Sequence, residues 1–173
     1  MKKAIASLTS LFVVSTLLCT SAQASDSGFT ISVAGGVSKY KDIPISDDRA
    51  ESGNVAVGYR FNKVLGIELG YTDFGTVEDN SFGSSIKAKL TATQFSLISN
   101  FPIDGALSGY ARVGVQSALA EVRVPNSRRT ARRSQGIAGL GLGYSFTNLL
   151  EGTLEYQYTP DVSTVNVGLR IKF

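Results

Sequence analysis

Glu151 and Glu155 stand four residues apart, and with Arg60, Glu68, Arg112, Arg170 and Lys172 they form a set of charges set among apolar, small and hydroxyl-bearing neighbours. Two carboxylates at such spacing could share a proton and act as general acid and base. A second concentration of charge, Arg123, Arg128, Arg129, Arg132 and Arg133, is suited to anions, because guanidinium groups grip phosphate or sulfate bidentately. A third pattern, Gly139-x-Gly141-x-Gly143, invites comparison with phosphate-cradling loops.

The composition narrows these options. The chain has no histidine, so the usual general base near neutral pH and the commonest metal ligand are both missing. Its single cysteine, Cys19, lies in the N-terminal segment. The three glycines recur every second residue, which puts them on one face of a strand with no helix to follow, so they do not make a nucleotide site. No enzyme activity, cofactor or metal is therefore expected. The Glu151 and Glu155 carboxylates are expected to be ion-paired rather than catalytic.

The elements that carry these residues declare themselves by alternation, since successive side chains point to opposite faces of a strand. In Thr164 to Phe173 the residues Val165, Val167, Leu169, Ile171 and Phe173 share one face, and Asn166, Gly168, Arg170 and Lys172 the other. The same pattern recurs in 29–40, 54–61, 65–71, 86–101, 107–119, 140–146 and 150–158, which makes eight strands. Short turns at 62–64, 102–106 and 147–149 alternate with connections at 41–51, 75–85, 121–133 and 160–163, the first three of them long. Short turns on one side and long loops on the other, with aromatics towards strand ends, are the signature of an up-and-down transmembrane barrel. The expected fold is all-β: an eight-stranded antiparallel transmembrane β-barrel with the charges in its lumen.

Pairing Phe61 with Leu65 places Glu68 beside Gly58 and diagonal to Arg60; pairing Phe146 with Leu150 and Tyr158 with Val165 places Glu155 between Gly141 and Gly168 and sets Glu151 opposite Lys172 and Thr153 opposite Arg170. Glycines would then make room for long charged side chains. A phase slip between Ala92 and Phe95 suggests a bulge. The 121–133 segment reads as an external basic loop.

Such a barrel must be exported, and the N-terminus fits. Lys2 and Lys3, an apolar stretch to Leu18 and the small-x-small site Ala22-Gln23-Ala24 read as a signal peptide over residues 1–24. The apolar run is shorter than the ~20 residues a spanning helix needs, and Leu18 before Cys19 is too large for a lipid-attachment site. Residues 25–173 would be the barrel, 149 residues with a formal charge of +1, two of the 17 basic residues leaving with the leader.

Ile67-Glu-Leu-Gly-Tyr-Thr-Asp-Phe-Gly75, Leu154-Glu-Tyr-Gln-Tyr158 and Val167-Gly-Leu-Arg-Ile-Lys-Phe173 resemble the barrel domain of the OmpA-like outer-membrane family, with the OmpX-like small barrels as near neighbours. The resemblance implies residence in the outer membrane of a Gram-negative bacterium and a structural or surface-interaction role. The protein would contact outer-membrane lipids, and the external arginines would meet lipopolysaccharide phosphates or sulfated host and matrix polymers; nucleic acid is discounted, because the compartment is wrong and no aromatics interleave the arginines. The resemblance also implies that Glu68 and Glu155 belong to an interior salt-bridge network that plugs or gates the lumen, a narrow gated pore or an adhesin being the alternatives. The final strand, with Gly168, Ile171 and Phe173, would be the signal read by the barrel assembly machinery.

Overall fold

The computed structural model describes residues 27–41, 49–79, 86–124 and 127–173. The expected signal peptide, 1–24, and residues 25–26, 42–48, 80–85 and 125–126 lie outside the described residues. Eight strands, β1 (Gly28–Tyr40), β2 (Arg49–Arg60), β3 (Leu65–Asp79), β4 (Ile86–Asp104), β5 (Leu107–Val124), β6 (Ser127–Ser145), β7 (Leu150–Tyr158) and β8 (Val162–Lys172), close in sequence order into one antiparallel barrel. Closure removes every sheet edge within the wall, because β1 pairs with both β2 and β8.

The outward face carries an apolar band that includes Val33, Val57, Leu69, Leu97, Val113, Leu140, Leu154 and Leu169, all exposed. Aromatics edge it. Phe29, Tyr59 and Phe61 form a T-shaped series at one end, as do Tyr144 and Phe146. Three tight turns close that end. In the β2–β3 turn the Asn62 side-chain oxygen accepts the amides of Val64 and Leu65, Gly105 (φ 49°) reverses the chain between β4 and β5, and Thr147 Oγ1 accepts from Leu149 and Leu150.

Strands β4, β5 and β6 run well past the band at the other end. There the facing pattern inverts. Outside, Thr93, Ser117 and Ser134 are cross-strand partners and polar. Inside, Ala92 and Ala118 pack with Tyr40, Phe74 and Val162 into an apolar cluster. The expected bulge at Ala92 to Phe95 is therefore absent: β4 pairs without interruption from Thr91 to Ser99, and what changes is the polarity of each face where the wall leaves the membrane. A bulge lies in β3 instead, between Asp73 and Thr76, where Gly75 adopts φ 89° and Asp73 Oδ1 accepts its amide, and a second register shift falls between Pro102 and Asp104. The β3 bulge carries the fully buried Phe74 over the lumen.

Tyr40 closes this cap by donating its hydroxyl to the Phe74 carbonyl, 3.0 Å away. It lies beyond the apolar band, and burial, followed by the nearby Asp73 charge, pushes its pKa up to about 12. Raised above the ordinary value of about 10, it contributes stability that is complete below that value and lost as pH rises towards 12. Absorbance titration should show a phenolate step near pH 12 that Tyr40→Phe removes. An unchanged titration would mean that the cap is open to water.

Candidate functional site

The inward face below the cap is mostly polar, with Ala56, Ile98 and Ile137 the buried apolar exceptions among the described residues, and several glycines lie beside its long side chains. Gly58 lies opposite Glu68, Gly139 opposite Arg112, and Gly141 opposite both Tyr110 and Glu155. A Cβ on Gly141 would strike the Tyr110 ring. The wall thus leaves space beside Glu68, Arg112, Tyr110 and Glu155.

Those side chains form one continuous network. Arg112 is its hub: Nε and Nη2 donate to the two oxygens of Glu155 at 2.7 and 3.1 Å, and Nη1 donates to Glu68 Oε1 at 2.6 Å. Tyr110 Oη completes Glu155 by donating to Oε2 at 2.9 Å. Glu68 Oε2 lies 3.9 Å from Arg170 Nη2, and Arg170 Nη1 donates to Glu151 Oε1 at 2.8 Å. Lys172 pairs with the other Glu151 oxygen and donates to Ser145 Oγ. The Arg170 guanidinium also lies over the Tyr110 ring, 5.0 Å from its centroid. Glu68, Arg112, Glu151, Glu155 and Arg170 are all at most 8% exposed. Ions so far from water persist only when paired and hydrogen-bonded, and the bidentate Arg112–Glu155 contact meets that demand.

Six of the expected interior residues are brought together, and Arg60 is not. It does not pair with Glu68, whose oxygens go to Arg112, Arg170 and Ser32 Oγ. The β7–β8 register also differs by two residues from expectation. Tyr156, not Tyr158, lies opposite Val165; Glu151 faces Arg170, Thr153 faces Gly168, and Glu155 lies between Gly141 and Asn166. The cause is the tightness of the connection, where Thr159 and Val162 are tied by Thr159 N to Val162 O and Val162 N to Thr159 Oγ1. The pair of Glu151 with Lys172 survives because the lysine is long. Tyr110 is the contributor that charge-based reading misses. Its signal was parity, since it sits two residues before Arg112 and therefore points inward.

The Glu151 and Glu155 carboxylates are each held by cations, Glu151 by Arg170 and Lys172 and Glu155 by Arg112. Among the described residues no group of histidine, cysteine, aspartate or glutamate could hold a metal ion.

The basic segment is not a loop. Arg123 is on β5, and Arg128, Arg129, Arg132 and Arg133 are on β6, in unbroken register from Val124 opposite Ser127 to Ala118 opposite Arg133. The interspersed Val122, Val124, Thr130 and Ala131 suffice for strand pairing, whereas charge density alone suggested a loop. Arg132 and Arg133 are exposed, and Arg133 Nη1 reaches Asp161 Oδ1 at 3.5 Å. On the closing strand, Ile171 faces outward, Gly168 lies close to the β1 backbone, and the Phe173 amide donates to the Phe29 carbonyl.

Residues 22–170 match the model of the OmpA-like transmembrane domain. The chain belongs to that family. It is an outer-membrane β-barrel protein. Outer membrane protein A of Salmonella typhi is 26% identical over 137 residues, 76% of this chain and 39% of the relative. The chain thus spans well under half the length of that protein. Among solved structures, neisserial surface protein A superposes with a TM-score of 0.62 at 20% identity, covering 86% of this chain and 98% of the other. Ail, the attachment invasion locus protein of Yersinia pestis, solved in complex with the heparin analogue sucrose octasulfate, gives 0.60 at 18% identity, covering 85% and 97%. At such identities the structures speak to the barrel fold alone. OmpA-like membership accounts for the closed wall and the outer-membrane location; the residues themselves must argue anything further.

Proposed function

We propose that this OmpA-like barrel is non-enzymatic and presents an arginine-rich β-hairpin to polyanions outside the cell, first the phosphates of lipopolysaccharide and then sulfated host or matrix polymers. The observation that carries this reading is the mounting of the arginines on paired strands beyond the apolar band, with Arg132 and Arg133 exposed. A strand-borne array loses less freedom on binding than a loop would. The register also sets Arg123 opposite Arg128. The complex of Ail with a heparin analogue supports the plausibility of such a ligand on a barrel of this shape. Lipids of the outer membrane and the barrel assembly machinery are the remaining partners of this reading. A narrow pore is the weaker alternative, because ions would have to pass both the Phe74 cap and the Arg112 network.

Replacing Arg128, Arg129, Arg132 and Arg133 together with Gln preserves length and polarity. Binding of the purified barrel to lipopolysaccharide or heparin at low salt should fall by roughly tenfold or more, since several charge-assisted contacts are lost. Wild-type binding should weaken as salt rises past ~0.15 M, where the screening length is about 8 Å. Equal binding by the two proteins at low salt would leave the hairpin merely solvated.

A further inference from the structure

The wall has no open edge, but the extension beyond it has one. Strand β6 is paired with β5 from Ser127 to Tyr144, whereas β7 pairs with it only from Ala138 to Ser145. From Ser127 to Ile137, no strand among the described residues lies on its second side. The ladder stops there for a chemical reason. Continued upward, the β6–β7 register would set Gly136 against Pro160, which has no amide N–H to donate.

Parity identifies the backbone groups left over. The Ser145 amide donates to the Ala106 carbonyl on the β5 side, the Phe146 amide donates to Leu150 on the β7 side, and the direction alternates along a strand. Odd-numbered residues of β6 therefore turn their amides and carbonyls to β5, while Thr130, Arg132, Ser134 and Gly136 turn theirs to the open side. Thr130 to Ser134 are all exposed, so the edge is a template within reach of another chain. It lies at the end opposite the short turns, outside the cell.

The side chains along the edge select the partner. Arg132 and Arg133 are exposed and, being consecutive, lie on opposite faces of the strand. The Arg133–Asp161 contact is long, 3.5 Å, and open to water, so it competes weakly. A second copy of the edge would bring arginine against arginine, which disfavours self-pairing. A sulfated polymer can satisfy the arginines but offers no row of amides and carbonyls at strand spacing. We propose that the open edge of β6 receives an extended acidic segment of another protein, added as a further strand. The backbone of that segment completes the ladder at Thr130, Arg132, Ser134 and Gly136, and its carboxylates meet Arg132 on one face and Arg133 on the other. This goes beyond the polyanion reading, because it requires the β6 backbone and not the charges alone.

The probe is a synthetic peptide as long as the Ser127–Ile137 edge, in which glutamate pairs alternate with valine–threonine pairs, added to the barrel in phosphatidylcholine nanodiscs. Amide hydrogen exchange is followed by NMR. Without peptide, Thr130, Arg132 and Ser134 should exchange faster than Ala131 and Arg133, whose amides are held by β5. At saturating peptide the fast set is expected to slow about tenfold or more, so that the alternation disappears. Ser134→Pro removes one edge donor while keeping every arginine, and an edge position whose N–H faces solvent tolerates proline. It should weaken peptide binding about tenfold and leave heparin binding unchanged, with slow exchange at Ala131 and Arg133 showing that the β5 ladder is intact. Absence of peptide binding, protection that ignores the alternation, or equal peptide affinity in wild type and Ser134→Pro would overturn the proposal and leave the arginines a charged surface only. Failure of the polyanion reading shows separately, as heparin binding that survives loss of the four arginines.

Discussion

Arg112→Met is expected to cost the barrel ~3–5 kcal/mol, the penalty for leaving buried charges without their partner. Arg112 donates three hydrogen bonds to two carboxylates, and at 6% exposure no water can take its place. Glu155 would keep only the Tyr110 hydroxyl, and Glu68 only the distant Arg170 and a long contact from Ser32. The triple variant Arg112→Met, Glu68→Gln, Glu155→Gln removes the charges together and should recover most of the loss, because paired ions in a dry interior often contribute little net stability. Urea unfolding of the wild type, the three single variants and the triple variant in lipid vesicles decides it. If the triple variant loses as much as the sum of its single changes, the three residues are not coupled.

Most of the wall was legible in the sequence, for the reason that a membrane barrel is governed by one periodicity. Where the outward positions meet hydrocarbon, as from Leu65 to Tyr71 or Val165 to Ile171, alternation alone locates the strand and its faces. The sequence misled where that rule stops applying. At Ala92 the inward side turns apolar and the outward side polar, and a pattern reader sees a slip where the backbone has none. At Arg128 to Arg133 both sides are polar, so strands extending beyond the bilayer look like loop. The β7–β8 register depended on a turn of Thr159 to Val162 whose side-chain bond hydropathy does not report. The lumen was legible in membership but not in pairing. Parity tells which residues point inward, whereas partner choice follows from how far each side chain reaches across the barrel, and Arg112 reaches Glu68 from two strands away. Arg60 shares Glu68's neighbourhood in register yet turns to the mouth.

The second large effect tests where the bilayer lies on this wall. Leu97 and Thr93 face outward on the same strand, four residues apart, and both are exposed. Leu97 sits between Ile67 and Val113 in an unbroken apolar surround. Thr93 sits between Tyr71, at the aromatic edge, and Ser117, the start of the polar extension. Leu97→Arg should therefore cost ~2–4 kcal/mol in vesicles, the penalty for a cation near the bilayer midplane, while Thr93→Arg should cost only ~0–1 kcal/mol. The guanidinium at position 93 can reach headgroup phosphates, whereas the one at 97 must snorkel past Phe95 or draw water into the hydrocarbon. Urea unfolding in vesicles supplies the comparison. Equal losses at the two positions would mean that the membrane boundary is not at the Thr93, Ser117 and Ser134 row, and the hairpin that carries Arg132 and Arg133 would then start too close to the lipid to stand clear of it.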